Sequence, residues 1–73
     1  MYKWNIDITL SGSGNIVRCW YEGSEMDSTS VIMKLFHGKK NEDWVGLASD
    51  MDRHQVFVAV REIAAIEVYE RRG

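Results

Sequence analysis

The run YKWNIDITL, Tyr2 to Leu10, constrains the fold more than any other part of the chain. Tyr2, Trp4, Ile6, Ile8 and Leu10 alternate without a break with Lys3, Asn5, Asp7 and Thr9. Successive side chains of a strand point to opposite faces, so this period of two predicts a strand with one face on a core. The following SGSGN, Ser11 to Asn15, supplies small residues for a turn, and IVRCWYE, Ile16 to Glu22, is rich in β-branched and aromatic types. Together they predict a β-hairpin.

Past Gly23 the composition changes to SEMDSTS. Asp27 or Ser28 can accept hydrogen bonds from the unpaired N–H groups that open a helix. Val31, Ile32, Leu35 and Phe36 then form one apolar stripe at helical spacing, and Gly38 stands where a left-handed residue ends a helix. Charge agrees with the helix dipole: Asp27 lies near the start, and Lys34, His37, Lys39 and Lys40 lie near or beyond the end.

The second half reads as three more strands. WVGLAS, Trp44 to Ser49, is followed by the polar turn SDMDRH and then by VFVAV, Val56 to Val60. That last strand is apolar on both faces, with Val56, Val58 and Val60 on one and Phe57 and Ala59 on the other, so both faces are expected to be covered. The second cover is either the helix or a neighbouring subunit. A single helix through Val56 to Glu70 competes, since Ala and Glu favour helix. The β-branched and aromatic residues and the alternation of Ile66 and Val68 around Glu67 favour two strands, joined by a tight 3₁₀-like corner at Arg61-Glu62-Ile63. The predicted order is β1-β2-α-β3-β4-β5 in one domain, residues 1–73.

Composition narrows the function classes. Nine Lys and Arg against eleven Asp and Glu give a net charge of -2, whereas a module that neutralises several phosphates is usually basic. Nucleic acid is therefore a disfavoured partner. A single Cys19 excludes an intrachain disulfide and, with two distant histidines, makes no zinc site. A reduced, cytoplasmic setting is expected. No window approaches the roughly 18 apolar residues that span a bilayer, so no membrane role is expected. No metal or other cofactor is called for.

Local motifs carry little chemistry. Cys19 with His37 or His54 is the one pairing that suggests a nucleophile and base, but Cys19 lies within a strand beside Trp20 and Tyr21, and a structural thiol is the simpler reading. Asp50 and Asp52 resemble the start of a calcium loop without its Gly or distal Glu, and read as turn residues. GSGN lacks the Lys-Ser/Thr and helix of a phosphate loop. Lys39 and Lys40 with His37, and Arg53 with His54, are candidate basic contacts beside Trp20 or Trp44, the combination that stacks and neutralises a nucleotide; a solvated helix end and turn is the plainer reading. Eight aromatics in 73 residues exceed what so small a core needs, and some are expected at an interface. Phe57 and Ala59, on the second face of the doubly apolar strand, are the expected oligomer contacts.

The closing pattern of apolar strand, REI, apolar strand, with five short strands overall, resembles the small SH3-like and Sm-like barrels. The tail VFVAVREIAAIEVYE is similar to the ends of small phage and prophage proteins. This resemblance implies an α+β fold, a small strongly bent antiparallel five-stranded sheet or barrel with one short helix, that works by oligomerising or binding partners. The Sm family places a helix before the barrel and an Arg-Gly pair near its fourth strand; here the helix is inserted between β2 and β3, and the only such pair is Arg72-Gly73. No RNA-binding residue is carried over. The expected function is a non-enzymatic, homo-oligomeric protein-interaction module, as in a phage-encoded modulator or inhibitor of a host protein acting in the host cytoplasm. The alternative is a small barrel that binds nucleic acid or a signalling nucleotide.

Overall fold

Two hairpins and a corner build one sheet. In the computed structural model, which describes residues 1–51 and 53–71, β1 (Tyr2–Leu10) pairs antiparallel with β2 (Ile16–Gly23) from Tyr2 opposite Gly23 to Thr9 opposite Ile16. The turn reading of Asp52 and the Arg72-Gly73 pair lie outside the described residues. Leu10 and Asn15 close the first hairpin, the Leu10 N–H donating to the Asn15 carbonyl at 2.8 Å. The alternation of β1 is realised directly: Trp4, Ile6 and Ile8 are buried, while the residues between them face outward.

Helix α1 (Ser28–Phe36) follows. Asp27, in extended conformation, is its N-cap, and its carboxylate accepts the Ser30 N–H at 2.7 Å. Gly38 has φ +70°, the left-handed geometry that only glycine adopts at little cost, and it turns the chain out of the helix. Val31 is fully buried and Leu35 and Phe36 are packed on the core, whereas Ile32 lies at the solvent margin of the stripe. Glu25 ties the approach to the sheet: its carbonyl accepts Trp4 Nε1–H at 3.3 Å, and its carboxylate accepts the Tyr21 hydroxyl at 2.7 Å.

β3 (Trp44–Ser49) and β4 (Gln55–Ala59) form the second hairpin, a 3₁₀ turn spans Val60–Glu62, and β5 (Ile63–Glu70) ends the fold. The corner thus begins one residue earlier than the sequence suggests. The Val60 N–H continues the β3–β4 ladder, donating to the Asp43 carbonyl at 2.9 Å, while its carbonyl accepts the Ile63 N–H and so starts the turn.

The strand order is β4-β3-β2-β1-β5. β4 and β5 are opposite edges, yet three residues join them. In a flat sheet the edges would lie about 19 Å apart, four spacings of about 4.8 Å, while a three-residue 3₁₀ turn rises only about 6 Å. The sheet must therefore curl strongly around its core. The corner is held on the first hairpin by the Glu62 carbonyl, which accepts the Ser11 N–H at 2.7 Å. No ladder joins β4 to β5, so the closed barrel offered as one form of the expected fold is not formed. The fold is a small α+β domain with one open, five-stranded antiparallel sheet and one helix.

Candidate functional site

The doubly apolar strand gives the first candidate surface. Val58 points into the core opposite Val45, and Phe57 and Ala59 point the other way. The expectation that both faces are covered holds at only one of these positions. Ala59, opposite Trp44, is 5% exposed, whereas Phe57 is 63% exposed. The cause is the residue across the ladder: Phe57 faces Gly46, where a Cβ would come within 2.7 Å of the Phe57 ring. The ring lies over the space that a side chain at Gly46 would fill. Trp44, two residues along β3 on the same face, is 53% exposed.

This strand is also an edge whose backbone is unused on one side. Ser49 N–H donates to the His54 carbonyl and Val60 N–H to the Asp43 carbonyl, at 3.0 and 2.9 Å. Alternation in an antiparallel ladder then directs the peptide groups of Val56 and Val58 to β3 and those of Gln55 and Phe57 to the open edge. β4 carries no charge and no proline, and its register on β3 is unbroken. Charged residues, prolines and bulges are the usual guards of an edge. The opposite edge has them: β5 carries Glu67 and Glu70, and its register on β1 shifts at Thr9/Leu10. Beside the β4 edge runs an apolar cleft of about 350 Å³, walled by Val56, Val58 and Phe57 on one side and by Leu10 and Val17 on the other, with Arg61 and Glu62 at its end. Those two charges are exposed and loosely paired, Nε to Oε1 3.9 Å.

A second, polar basin of about 590 Å³ lies on the outer face around Trp20. Trp20 sits opposite Asn5 on β1 and Ala48 on β3. Lys3, Arg53 and Arg71 contribute cations from β1, the β3–β4 turn and the end of β5, and Asp50 contributes one carboxylate. Arg71 donates its backbone N–H to the Lys3 carbonyl at 2.8 Å, which sets its side chain beside Trp20. Its guanidinium lies 5.9 Å from the ring centroid and pairs with Asp50 at 2.9 Å.

The sequence-derived candidates therefore divide. Trp20 and Arg53 share the basin, and Trp44 and Phe57 share the outer face of β3–β4. Lys39 and Lys40 are not among the lining residues of either concavity; Lys39 Nζ donates to the Trp44 carbonyl at 3.1 Å, and the Lys40 backbone N–H donates to Asp43 Oδ2 at 2.8 Å. His54 closes the β3–β4 turn through its carbonyl. Ala59 is buried within the chain. Lys3 and Arg71 were not singled out from sequence, and Asp50 was read there only as a turn residue. The outward parity of Lys3 was visible in the β1 alternation, but only the β1–β5 register places Arg71 against it.

Cys19 is 1% exposed and packs with Ile6 and Ile8. Burial, reinforced by the Asp7 and Asp50 carboxylates, pushes its thiol pKa up, the reverse of what an activated nucleophile needs. Comparison with protein-family models, with curated proteins and with solved structures finds no match to this chain.

Proposed function

We propose that this chain is a non-enzymatic interaction module that works through the outer face and open edge of β4, associating there with itself and with a protein partner. The observation that carries the reading is the adjacency of two exposed aromatics, Trp44 and Phe57, at an uncharged sheet edge. Aromatic residues of this kind anchor interfaces because they bury large areas at little entropic cost. An edge without guards is a template for strand addition. In the same reading the fold is an SH3-like or Sm-like arrangement left open between β4 and β5; the three-residue corner between the two edges supports it.

The magnitude makes self-association weak. Trp44 and Phe57 together leave about 250 Å² exposed, so a symmetric pair of these patches covers about 500 Å², less than half of a standard interface. The association is expected to be reversible, with a dissociation constant in the range of about 10 µM to 1 mM. Sedimentation equilibrium across that range tests it: average mass should rise with concentration, and Phe57→Glu should hold the chain at monomer mass. A wild-type chain that stays monomeric throughout would refute self-association at this face.

A further inference from the structure

The Trp20 basin lies on residues that the β4 reading does not use, and its chemistry is specific. Three cations converge on it from separate elements, and the one carboxylate among its described lining residues is already bound by Arg71. The basin is thus a local excess of positive charge on a chain of net charge -2, the arrangement that concentrates anions. The aromatic ring and the guanidinium above it form two parallel-capable planes. The guanidinium carbon stands 5.9 Å from the ring centroid, farther than the about 3.5–4.0 Å of directly stacked atoms, and a third planar layer between the two groups requires about 7 Å from plane to plane. The Arg71 side chain is 38% exposed, so it has room to move outward to admit such a layer.

We propose that this basin binds a mononucleotide, with the base between Trp20 and Arg71 and the phosphate on Lys3 and Arg53. Both faces of a base are suited to these partners, since bases stack on indole rings and on guanidinium planes. Arginine suits the phosphate, which it binds in a bidentate fork. A free nucleotide fits better than a strand: the basin offers one aromatic platform, and Lys39 and Lys40, the other cations considered, are not among its lining residues.

The test is a titration of the ¹⁵N-labelled protein with adenosine monophosphate at low salt, following the indole N–H signals. The Trp20 signal should shift saturably, while Trp4, whose N–H is bonded to the Glu25 carbonyl, and Trp44 stay unmoved. Arg53→Ala and Arg71→Lys should each weaken binding by about fivefold or more, the second because lysine keeps the charge and loses the plane. Inorganic phosphate and adenosine should each bind at least about tenfold more weakly than the nucleotide. Phosphate alone binding as tightly would overturn the stacked base, and adenosine binding as tightly would overturn the phosphate contacts. An oligonucleotide that binds more tightly than its number of bases accounts for would replace the mononucleotide with a strand. Absence of any Trp20 shift up to about 10 mM nucleotide, a Kd worth under about 3 kcal/mol, would overturn the proposal entirely.

Discussion

Phe57 and Val58 are consecutive on β4 and face opposite ways, so truncating each in turn separates the free surface from the core. Val58 is 5% exposed and lies opposite Val45. Val58→Ala removes two carbons, about 1.6 kcal/mol of transfer energy at about 0.8 kcal/mol each. If the void of about 50 Å³ does not collapse, it adds about 1.2 kcal/mol. The expected cost is about 2–3 kcal/mol, a large part of the roughly 4–11 kcal/mol available to a chain of this length. Phe57 has 37% of its surface covered, since 63% is exposed. On a ring of about 200 Å² that is about 75 Å², or at most about 2 kcal/mol at 25 cal/mol/Å². The unfolded chain already buries part of that area, and an open face leaves no cavity, so Phe57→Ala should cost about 1 kcal/mol. Urea unfolding followed by Trp fluorescence at low protein concentration measures both, with the m-value as the check that only stability has changed. Phe57→Ala costing as much as Val58→Ala would mean that the ring is packed, and the outer face of β4 would lose its standing as a free surface.

Three further outcomes are expected. Gly46→Ala should displace the Phe57 ring, because the new Cβ meets it at 2.7 Å; self-association measured by sedimentation should fall while thermal stability changes little, and unchanged association would separate Phe57 from the interface. The Tyr21 hydroxyl holds the Glu25 carboxylate below its usual range, and the Ser30 N–H and side chain do the same for Asp27. Stability from both is therefore fully present above about pH 4 and is lost as pH falls through their depressed values. The same bond to Glu25, aided by burial, raises the Tyr21 pKa, so its contribution is present below about pH 10 and is lost as pH rises through the elevated value. Tyr21→Phe should make both limbs of a stability-pH curve shallower, and identical curves would show that the bond carries no linkage. Buried and with its pKa raised, the Cys19 thiol should react with a disulfide reagent only as fast as the chain unfolds; rapid labelling of the native protein would contradict its place in the core.

Local pattern carried most of the fold because the controlling interactions are local. The β1 alternation needs only the two faces of a strand. Asp27 and Ser28 were equal candidates for the cap, and the extended backbone of Asp27 decided between them. The position of the corner was off by one residue because the Val60 carbonyl accepts the Ile63 N–H and starts the 3₁₀ turn there, although its N–H still bonds the Asp43 carbonyl, and no local apolar pattern marks that change.

Parity told which residues share the second face of β4 but not what lies over them. Phe57 and Ala59 have the same parity and opposite burial, and the difference comes from the cross-strand partners, Gly46 for one and Trp44 for the other. A reading confined to β4 treats the face as uniform, whereas the ladder makes it half closed and half open. The basin is non-local in a stronger sense: Lys3 and Arg71 stand near opposite ends of the described chain and meet only because β5 pairs beside β1. Alternation marks both as ordinary solvent-facing positions. The residues that a pattern sets aside as outward still build a shared surface, because strand pairing sets the outer side chains of β5, β1 and β2 side by side, and Arg53 of the β3–β4 turn lines the same basin.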